Sequence, residues 1–174
     1  NQDDETFRLQ VDRVFQKTGY GLIITGTVLS GNLKIGSSVG VQPSNKSGKV
    51  RGLQSHGEPV DFVSKGDRAA VNLTGVELVH VWRGSELVTP KSIQAAQRAI
   101  VHIKLIKTTK WKIKAHQRIR VHLGTSESLA KIVYIPKTIS AGESINAVLE
   151  FNKPISTALD DRFIIRAYSP MDTI

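Results

Sequence analysis

The sequence predicts an all-β protein built as two tandem closed β-barrels. Apolar and polar residues alternate with period two in many short segments, and turns rich in Gly, Pro, Asn and Asp separate these segments at regular spacing. No segment carries a long apolar stripe of helical period. The 174 residues are enough for two small cores, which we place at 7–90 and 98–174, on either side of the polar stretch Lys91–Gln97.

The first domain opens with a predicted β-hairpin over residues 7–31. Residues 7–11 alternate between apolar and polar, the turn-forming residues 17–21 follow, and the β-branched run 23–28 returns as a second strand. Gly26 lies inside that second strand, where a glycine indicates a bulge or a close approach of another backbone or a ligand.

The rest of the first domain reads as short strands joined by polar turns. A loop is predicted over residues 54–59, and one or two helical turns within residues 74–83, ended by Gly84. The remaining predicted strands of this domain lie near residues 39–41, 49–53, 60–63, 68–73 and 87–89.

The second domain begins with three predicted strands that each place basic residues opposite an apolar face. These strands lie at residues 99–106, 110–115 and 118–123. Three further strands are predicted at residues 129–135, 144–151 and 162–168.

The charge of the chain favours a polyanionic partner. Lys and Arg number 24 against 15 Asp and Glu, a formal net charge of +9, and Lys91–Lys114 contains no acidic residue. A solvated basic face explains such a run equally well. There is no cysteine, which excludes disulfides and thiolate sites, and the apolar runs are too short to cross a membrane. We therefore expect a cytoplasmic protein with no membrane partner.

Catalytic and metal-binding motifs are missing from the sequence. Gly48-Lys49 lacks the surrounding residues of a phosphate-binding loop, and the histidines do not have metal-ligand spacing. We expect no enzyme activity, catalytic residue, metal or cofactor in this chain. Asp12 and Arg13 are neighbours on a strand and therefore point to opposite faces unless a bulge intervenes, and Arg68 opens a later strand.

Several motifs resemble the SelB family, the selenocysteine-specific elongation factors within the translational GTPases. ITGTVLSG at 24–31, VRGLQSHGEPV at 50–60 and KGDRAAVNLTGVE at 65–77 are similar to its second domain, while RIRVHLGTSE at 118–127 and DRFIIRAYSPMDTI at 161–174 are similar to its third. This chain has Ser37-Ser38 where members of the family usually have Gly-Asp. The resemblance covers nearly the whole chain, and it implies that the two β-barrels are of the translation-factor domain II and III type.

The resemblance implies a fragment that binds selenocysteyl-tRNA and delivers it to the ribosome for selenocysteine insertion at UGA codons. GTP and Mg would bind a nucleotide domain that is missing here, so that the full-length protein is a GTPase. An mRNA hairpin would be read only through a missing C-terminal region. The alternative is a general tRNA- or ribosome-binding module of a translational GTPase, without selectivity for selenocysteine.

The resemblance also implies two sets of site residues in the first domain, and the basic faces of the second suggest a third set. Asp12, Arg13 and Arg68 match the family's selenocysteyl pocket position by position. An aminoacyl-end pocket would use Gly26, Gln54, His56 and Gly57, with Gly26 leaving room for the terminal adenosine. We expect the tRNA backbone to contact Lys104, Lys110, Lys112, Lys114, Arg118 and Arg120.

Overall fold

The computed structural model describes residues 6–17 and 19–168, and its elements are strands apart from a single three-residue 3₁₀ helix. The all-β class with two tandem barrel-type domains is confirmed. The chain falls into two compact units: the first contains the residues up to Ala95 with Gly124–Ser126 and Ser156–Leu159, and the second contains the rest. The predicted turn residue Thr18 and the predicted end of the second domain, residues 169–174, lie outside the described residues.

The first unit is a closed barrel. Its seven-stranded sheet has the order β4-β9-β1-β2-β8-β5-β6, and a further pairing of β4 with β5 joins the sheet into a ring, while β3 and β7 form a separate small sheet. The strands are β1 (Arg8–Lys17), β2 (Gly21–Ser30), β3 (Asn32–Lys34), β4 (Ser38–Gln42), β5 (Lys46–Ser55), β6 (Glu58–Val60), β7 (Phe62–Ser64), β8 (Arg68–Thr74) and β9 (Glu86–Val88).

The predicted opening hairpin is present as the antiparallel pair of β1 and β2. The alternating residues of its strands fill the barrel, because every second side chain faces inward. Leu9, Ile24, Leu73 and Leu87 are among the fully buried side chains at the centre of this core.

A buried ion pair lies in the wall of the first unit. Arg8 Nη2 is 2.7 Å from Glu86 Oε1, and the two side chains are only 10% and 2% exposed. The hydroxyl of Ser156 donates a hydrogen bond to the other oxygen of Glu86. The carboxylate is thus held on both oxygens in a place where water is excluded.

The second unit is a curled five-stranded sheet with the order β10-β13-β12-β11-β14. Among the described residues its edge strands β10 and β14 do not pair with each other, so closure is seen only in the first unit. A core that includes Ile119, Ile132 and Leu149 fills the concave side of the sheet. The strands are β10 (Ala96–Lys104), β11 (Arg118–Leu123), β12 (Ser126–Tyr134), β13 (Ser144–Ile155) and β14 (Phe163–Ala167).

Three local predictions need correction. Residues 110–115 do not form a strand: Ile113 is buried and makes one isolated bridge to Ile139, but the flanking residues pair with no strand. The helical turn predicted within 74–83 is only the 3₁₀ helix Leu78–His80, which ends at Val81 rather than at Gly84. Gln54 belongs to β5 rather than to a loop.

No helix in the described part of the chain has the length and apolar character needed to cross a membrane.

Candidate functional site

A β-bulge in β1 brings Asp12 and Arg13 to the same side of the barrel wall. Val11 is opposite Gly26 and Arg13 is opposite Thr25, so Asp12 is an extra residue with no partner across the ladder. Val11 is buried before the bulge, and Val14 packs against the core after it, whereas Arg13 is exposed. The inward alternation therefore skips one residue, and the two neighbouring charges both lie outside the core.

Gly26 permits this bulge by close approach, but the space it leaves is already filled. A Cβ at residue 26 would lie 2.1 Å from the carbonyl oxygen of Gln10 and 2.6 Å from Cδ2 of Leu9. A side chain there would collide with β1. The expectation that Gly26 leaves room for a terminal adenosine needs correction, because the neighbouring strand occupies that room.

Asp12 and Arg68 form an ion pair on the outer surface. Arg68 Nη1 donates to Asp12 Oδ2 at 2.5 Å, and the hydroxyl of Thr25 donates to Asp12 Oδ1 at 2.7 Å. The Asp12 side chain is 18% exposed and that of Arg68 is 55% exposed. The pairing is possible because β2 lies between β1 and β8, with Thr27 opposite Arg68 and Thr25 opposite Arg13.

The hydrogen bond from Arg68 is the main reason that the pKa of Asp12 is lowered, with smaller contributions from Thr25 and from the charge of Arg13; burial opposes them. The same ion pair raises the pKa of Arg68. Asp12 is therefore ionised at neutral pH. Arg13 has no ion-pair partner among the residues that the structure describes.

A shallow depression of about 220 Å³ adjoins Arg68 and contains three of the predicted aminoacyl-end residues. Gln54 comes from the end of β5, and His56 with Gly57 forms the tight turn into β6. Both turn residues have positive φ, 53° and 88°, which is the geometry of a two-residue hairpin turn. Gly26 does not line this depression.

A larger depression of about 490 Å³ lies beside the first, and Gln54 and Ala70 line both. Its walls are mainly apolar, with Ile23, Val60 and the aromatic rings of Phe15 and Tyr20. Phe15 and Tyr20 are 47% and 56% exposed, and with Ile35, which is 46% exposed and lines the same depression, they form an exposed apolar patch. Sequence reasoning missed this surface. The sequence did contain an indication of this surface, since one aromatic residue lies near the end of β1 and another lies in the turn before β2.

The six basic residues proposed for the tRNA backbone are not equivalent. Lys104 and Arg118 are exposed on strands, and Lys110, Lys112 and Lys114 are exposed on the irregular segment between β10 and β11. Arg120 is different, because its Nη1 is 2.5 Å from Oε1 of Glu127 and its guanidinium lies 6.0 Å from the centroid of the Tyr168 ring. Its charge is partly neutralised within the unit itself.

Within residues 6–17 and 19–168, no group of three or more His, Cys, Asp or Glu side chains is arranged to hold a metal ion. The first unit presents charges of both signs beside an apolar depression.

Comparison with known families and proteins assigns both parts of the chain. Residues 21–88 match the model of elongation factor Tu domain 2, and residues 96–174 match the model of the β-barrel domain of selenocysteine-specific elongation factor. The selenocysteine-specific elongation factor of Desulfomicrobium baculatum is 34% identical over 98% of this chain, and that of Escherichia coli K12 is 31% identical over 97%. The chain covers 27% and 26% of the lengths of these two relatives.

Solved structures give the same grouping. A bacterial selenocysteine-specific elongation factor, EF-Sec, superposes with a TM-score of 0.79 at 25% identity, over 95% of this chain and 26% of the other. The apo form of the elongation factor SelB from Methanococcus maripaludis gives a TM-score of 0.81 at 24% identity, over 94% of this chain and 38% of the other, and this second likeness supports the fold alone.

Proposed function

The chain belongs to the selenocysteine-specific elongation factor family, and it spans about a quarter of the length of the two bacterial relatives named above. On this basis we propose that it holds the aminoacylated end of selenocysteyl-tRNA. In this proposal Asp12, Arg13 and Arg68 recognise the selenocysteyl side chain. The observation that carries it is the bulge in β1, which places Asp12 in an ion pair with Arg68 and Arg13 on the same outer surface.

Charge supplies the discrimination. Two guanidiniums against one carboxylate leave one positive charge uncompensated at this place. A selenol is largely ionised at neutral pH and a seryl hydroxyl is not. A selenolate therefore completes the charge balance, whereas a seryl group leaves a guanidinium poorly paired.

Asp12 has two effects on the two arginines in this proposal. It holds Arg68 in place through a charge-assisted hydrogen bond, and it reduces the repulsion between the two arginines. Because Asp12 takes only one nitrogen of the Arg68 guanidinium, the others stay available to the side chain of an incoming aminoacyl group.

The apolar depression beside this site suits the terminal adenosine of the tRNA. Phe15 offers a ring face for stacking, and Gln54 and Asn72 offer hydrogen-bonding groups. The Tyr20 ring carries the ammonium of Lys17, which lies 4.4 Å from its centroid. Gln54 lines both depressions, so a ligand reaching from one to the other passes it. The ester and amino acid would then extend toward Arg68.

The second unit contributes affinity in this proposal, through contacts of its exposed lysines and Arg118 with tRNA phosphates. The full-length protein would deliver the tRNA to the ribosome for insertion at UGA codons, with GTP and Mg bound to a domain outside this chain. An mRNA hairpin would be bound through a further C-terminal region. We assign no catalysis to this chain.

The test is Arg68→Ala and Arg13→Ala in the full-length factor, with the dissociation constants of selenocysteyl-tRNA and seryl-tRNA measured for each variant. A charge-assisted contact of about 1.5 to 3 kcal/mol predicts a preference that falls by about tenfold or more when one arginine is lost. Arg51→Ala is the matched control, since Arg51 is an exposed arginine on β5 of the same unit.

Equal losses for both tRNAs would favour the alternative, a tRNA- or ribosome-binding module without selectivity. One finding speaks for that alternative: residues 21–88 match the model of elongation factor Tu domain 2.

A further inference from the structure

The backbone on the far side of the bulge is held by residues that neither proposed pocket includes. Val11 directly precedes Asp12, and its N–H donates to the carbonyl of Ser85 at 3.0 Å. Its carbonyl oxygen accepts from the N–H of Gly84 at 3.0 Å and from the hydroxyl of Thr125 at 2.7 Å. Both acceptor sites of that oxygen are thus used, one by a backbone donor and one by a side chain.

This carbonyl controls where the Asp12 carboxylate lies. The peptide plane between Val11 and Asp12 contains the Val11 oxygen, so rotation of that plane changes the backbone angles on both sides of it. Asp12 is the bulged residue and has no partner across the β1–β2 ladder. The Val11 oxygen is held by the N–H of Gly84, and the hydroxyl of Thr125 adds a second hydrogen bond that further restrains the plane.

Thr125 is itself held in place within the first unit. The Nε of Arg83 donates to the Thr125 carbonyl at 3.4 Å. The Thr125 side chain is half-buried, with its hydroxyl on the Val11 carbonyl. A Cβ on neighbouring Gly124 would lie 1.9 Å from Oε1 of Gln10, so this turn passes close to β1. The turn joins β11 to β12 in the sequence, which makes it remote from Asp12 along the chain.

We propose that Thr125 is a positioning residue for selenocysteyl recognition, acting through its hydrogen bond to the Val11 carbonyl to hold the Asp12–Arg68 pair in its binding geometry. This inference rests on the function proposed above for Asp12, Arg13 and Arg68. Thr125 does not touch the aminoacyl group; it fixes the backbone from which Asp12 projects.

The experiment compares Thr125→Val with Thr125→Ser in the full-length factor. Valine keeps the shape of threonine but removes the donor, and serine keeps the donor. The ratio of dissociation constants for seryl-tRNA and selenocysteyl-tRNA should fall about threefold to tenfold in Thr125→Val and return in Thr125→Ser, which is the size expected for one neutral hydrogen bond. Thr138→Val, at an exposed threonine of the second unit, should leave the ratio unchanged.

A second readout separates positioning from general support of the fold. The Asp12 carboxyl is followed by ¹³C NMR titration in this chain, together with the thermal midpoint of each variant. If Thr125 positions Asp12, its replacement by valine raises the pKa of Asp12 toward the ordinary aspartate value, because the contact from Arg68 weakens.

The outcomes are distinct. An unchanged ratio and an unchanged Asp12 pKa in Thr125→Val, with Arg68→Ala still losing its preference, would overturn this inference and leave the proposed function standing. A uniform loss for both tRNAs with the Asp12 pKa unchanged would also overturn it, since Thr125 would then support only the fold. If Arg68→Ala itself kept the full preference, the proposed function would fail, and the Asp12 pKa alone would decide the positioning role.

Discussion

The two units carry charge in contrasting ways. In the first, a buried ion pair joins Arg8 to Glu86 inside the wall, and a second pair joins Arg68 to Asp12 on its surface. In the second, the ion pairs Arg98–Glu150, Arg120–Glu127 and Lys137–Glu143 all lie at the surface, and five of the six basic residues singled out by the sequence are exposed. Fixed pairs in a closed barrel suit recognition of one chemical group, whereas exposed lysines suit a polyanion whose phosphates can be met in many arrangements.

The largest effect is expected from the buried pair. Glu86→Gln removes the negative charge that faces Arg8 in a place that is 2% exposed, and it should destabilise the first unit by about 3 kcal/mol. Glu150→Gln is the matched change in the second unit, where Arg98 Nη2 lies 2.5 Å from Glu150 Oε2 but is 70% exposed, and it should cost less than about 1 kcal/mol.

Urea unfolding measures both values separately, because the chain has two tryptophans and the units hold one each. Trp82 reports on the first unit after Trp111→Phe, and Trp111 reports on the second after Trp82→Phe. Similar losses for the two glutamate variants would remove the distinction between buried and exposed pairs.

A smaller effect is expected from the exposed lysines. Lys112→Gln with Lys114→Gln should lower the slope of log affinity against log salt concentration by about 1.4 to 1.8 for selenocysteyl-tRNA, because two counterions fewer are released. Arg120→Gln should change the slope less, since Glu127 already neutralises part of its charge. Lys46→Gln with Lys49→Gln, at exposed lysines of the first unit, is the control.

If affinity falls at every salt concentration while the slope stays constant, the irregular basic segment does not contact phosphates. If Arg120→Gln lowers the slope as much per charge removed as the two lysine substitutions do, the ion pair with Glu127 does not reduce the contribution of Arg120 to the salt dependence.

The smallest effect concerns the pH dependence of the surface pair. The folded-state pKa of Asp12 is lowered, so its contribution to stability is fully present above the unfolded-state pKa and is lost as the pH falls through the folded value. Asp12→Asn should therefore reduce stability by less than about 1 kcal/mol at pH 7, since Arg68 is 55% exposed, and the difference from the wild type should vanish in acid.

Glu143 of the second unit is the comparison for that titration. Its pKa is also lowered, but mainly by a hydrogen bond from the backbone N–H of Ser140 and only secondarily by Lys137. High salt should therefore raise the pKa of Asp12 more than that of Glu143 in an NMR titration. A larger salt response for Glu143 would contradict the assignment of the Asp12 shift to Arg68.

Period-two patterning predicted the strands well, because alternation reports which side chains face the core. It failed at residues 110–115 for the same reason: Ile113 is buried between exposed lysines, yet only one bridge holds the backbone there. Burial alternates in an extended segment whether or not a neighbouring strand pairs with it. The pattern therefore predicts which side chains face the core, but it does not predict whether the backbone is hydrogen-bonded to a neighbouring strand.

The candidate site was predictable in composition and less so in geometry. The resemblance pointed to Asp12, Arg13 and Arg68, but neighbouring residues of a regular strand face opposite ways, and the sequence alone left open whether a bulge reverses this. The space beside Gly26 was misjudged because a strand glycine serves a neighbouring backbone as readily as a ligand. The hydrogen bond from Thr125 joins residues 114 positions apart, a separation that no local pattern reveals.

The bulge also makes Asp12 separable from the barrel that carries it. If Asp12 is deleted from the written sequence, Val11, Arg13, Val14 and Phe15 read as a perfect alternation of inward and outward residues. The carboxylate thus corresponds to a one-residue insertion that the ladder absorbs without moving any core position. A barrel of this type can gain or lose an acidic group on its surface by a single codon, while the hydrophobic interior keeps its original register.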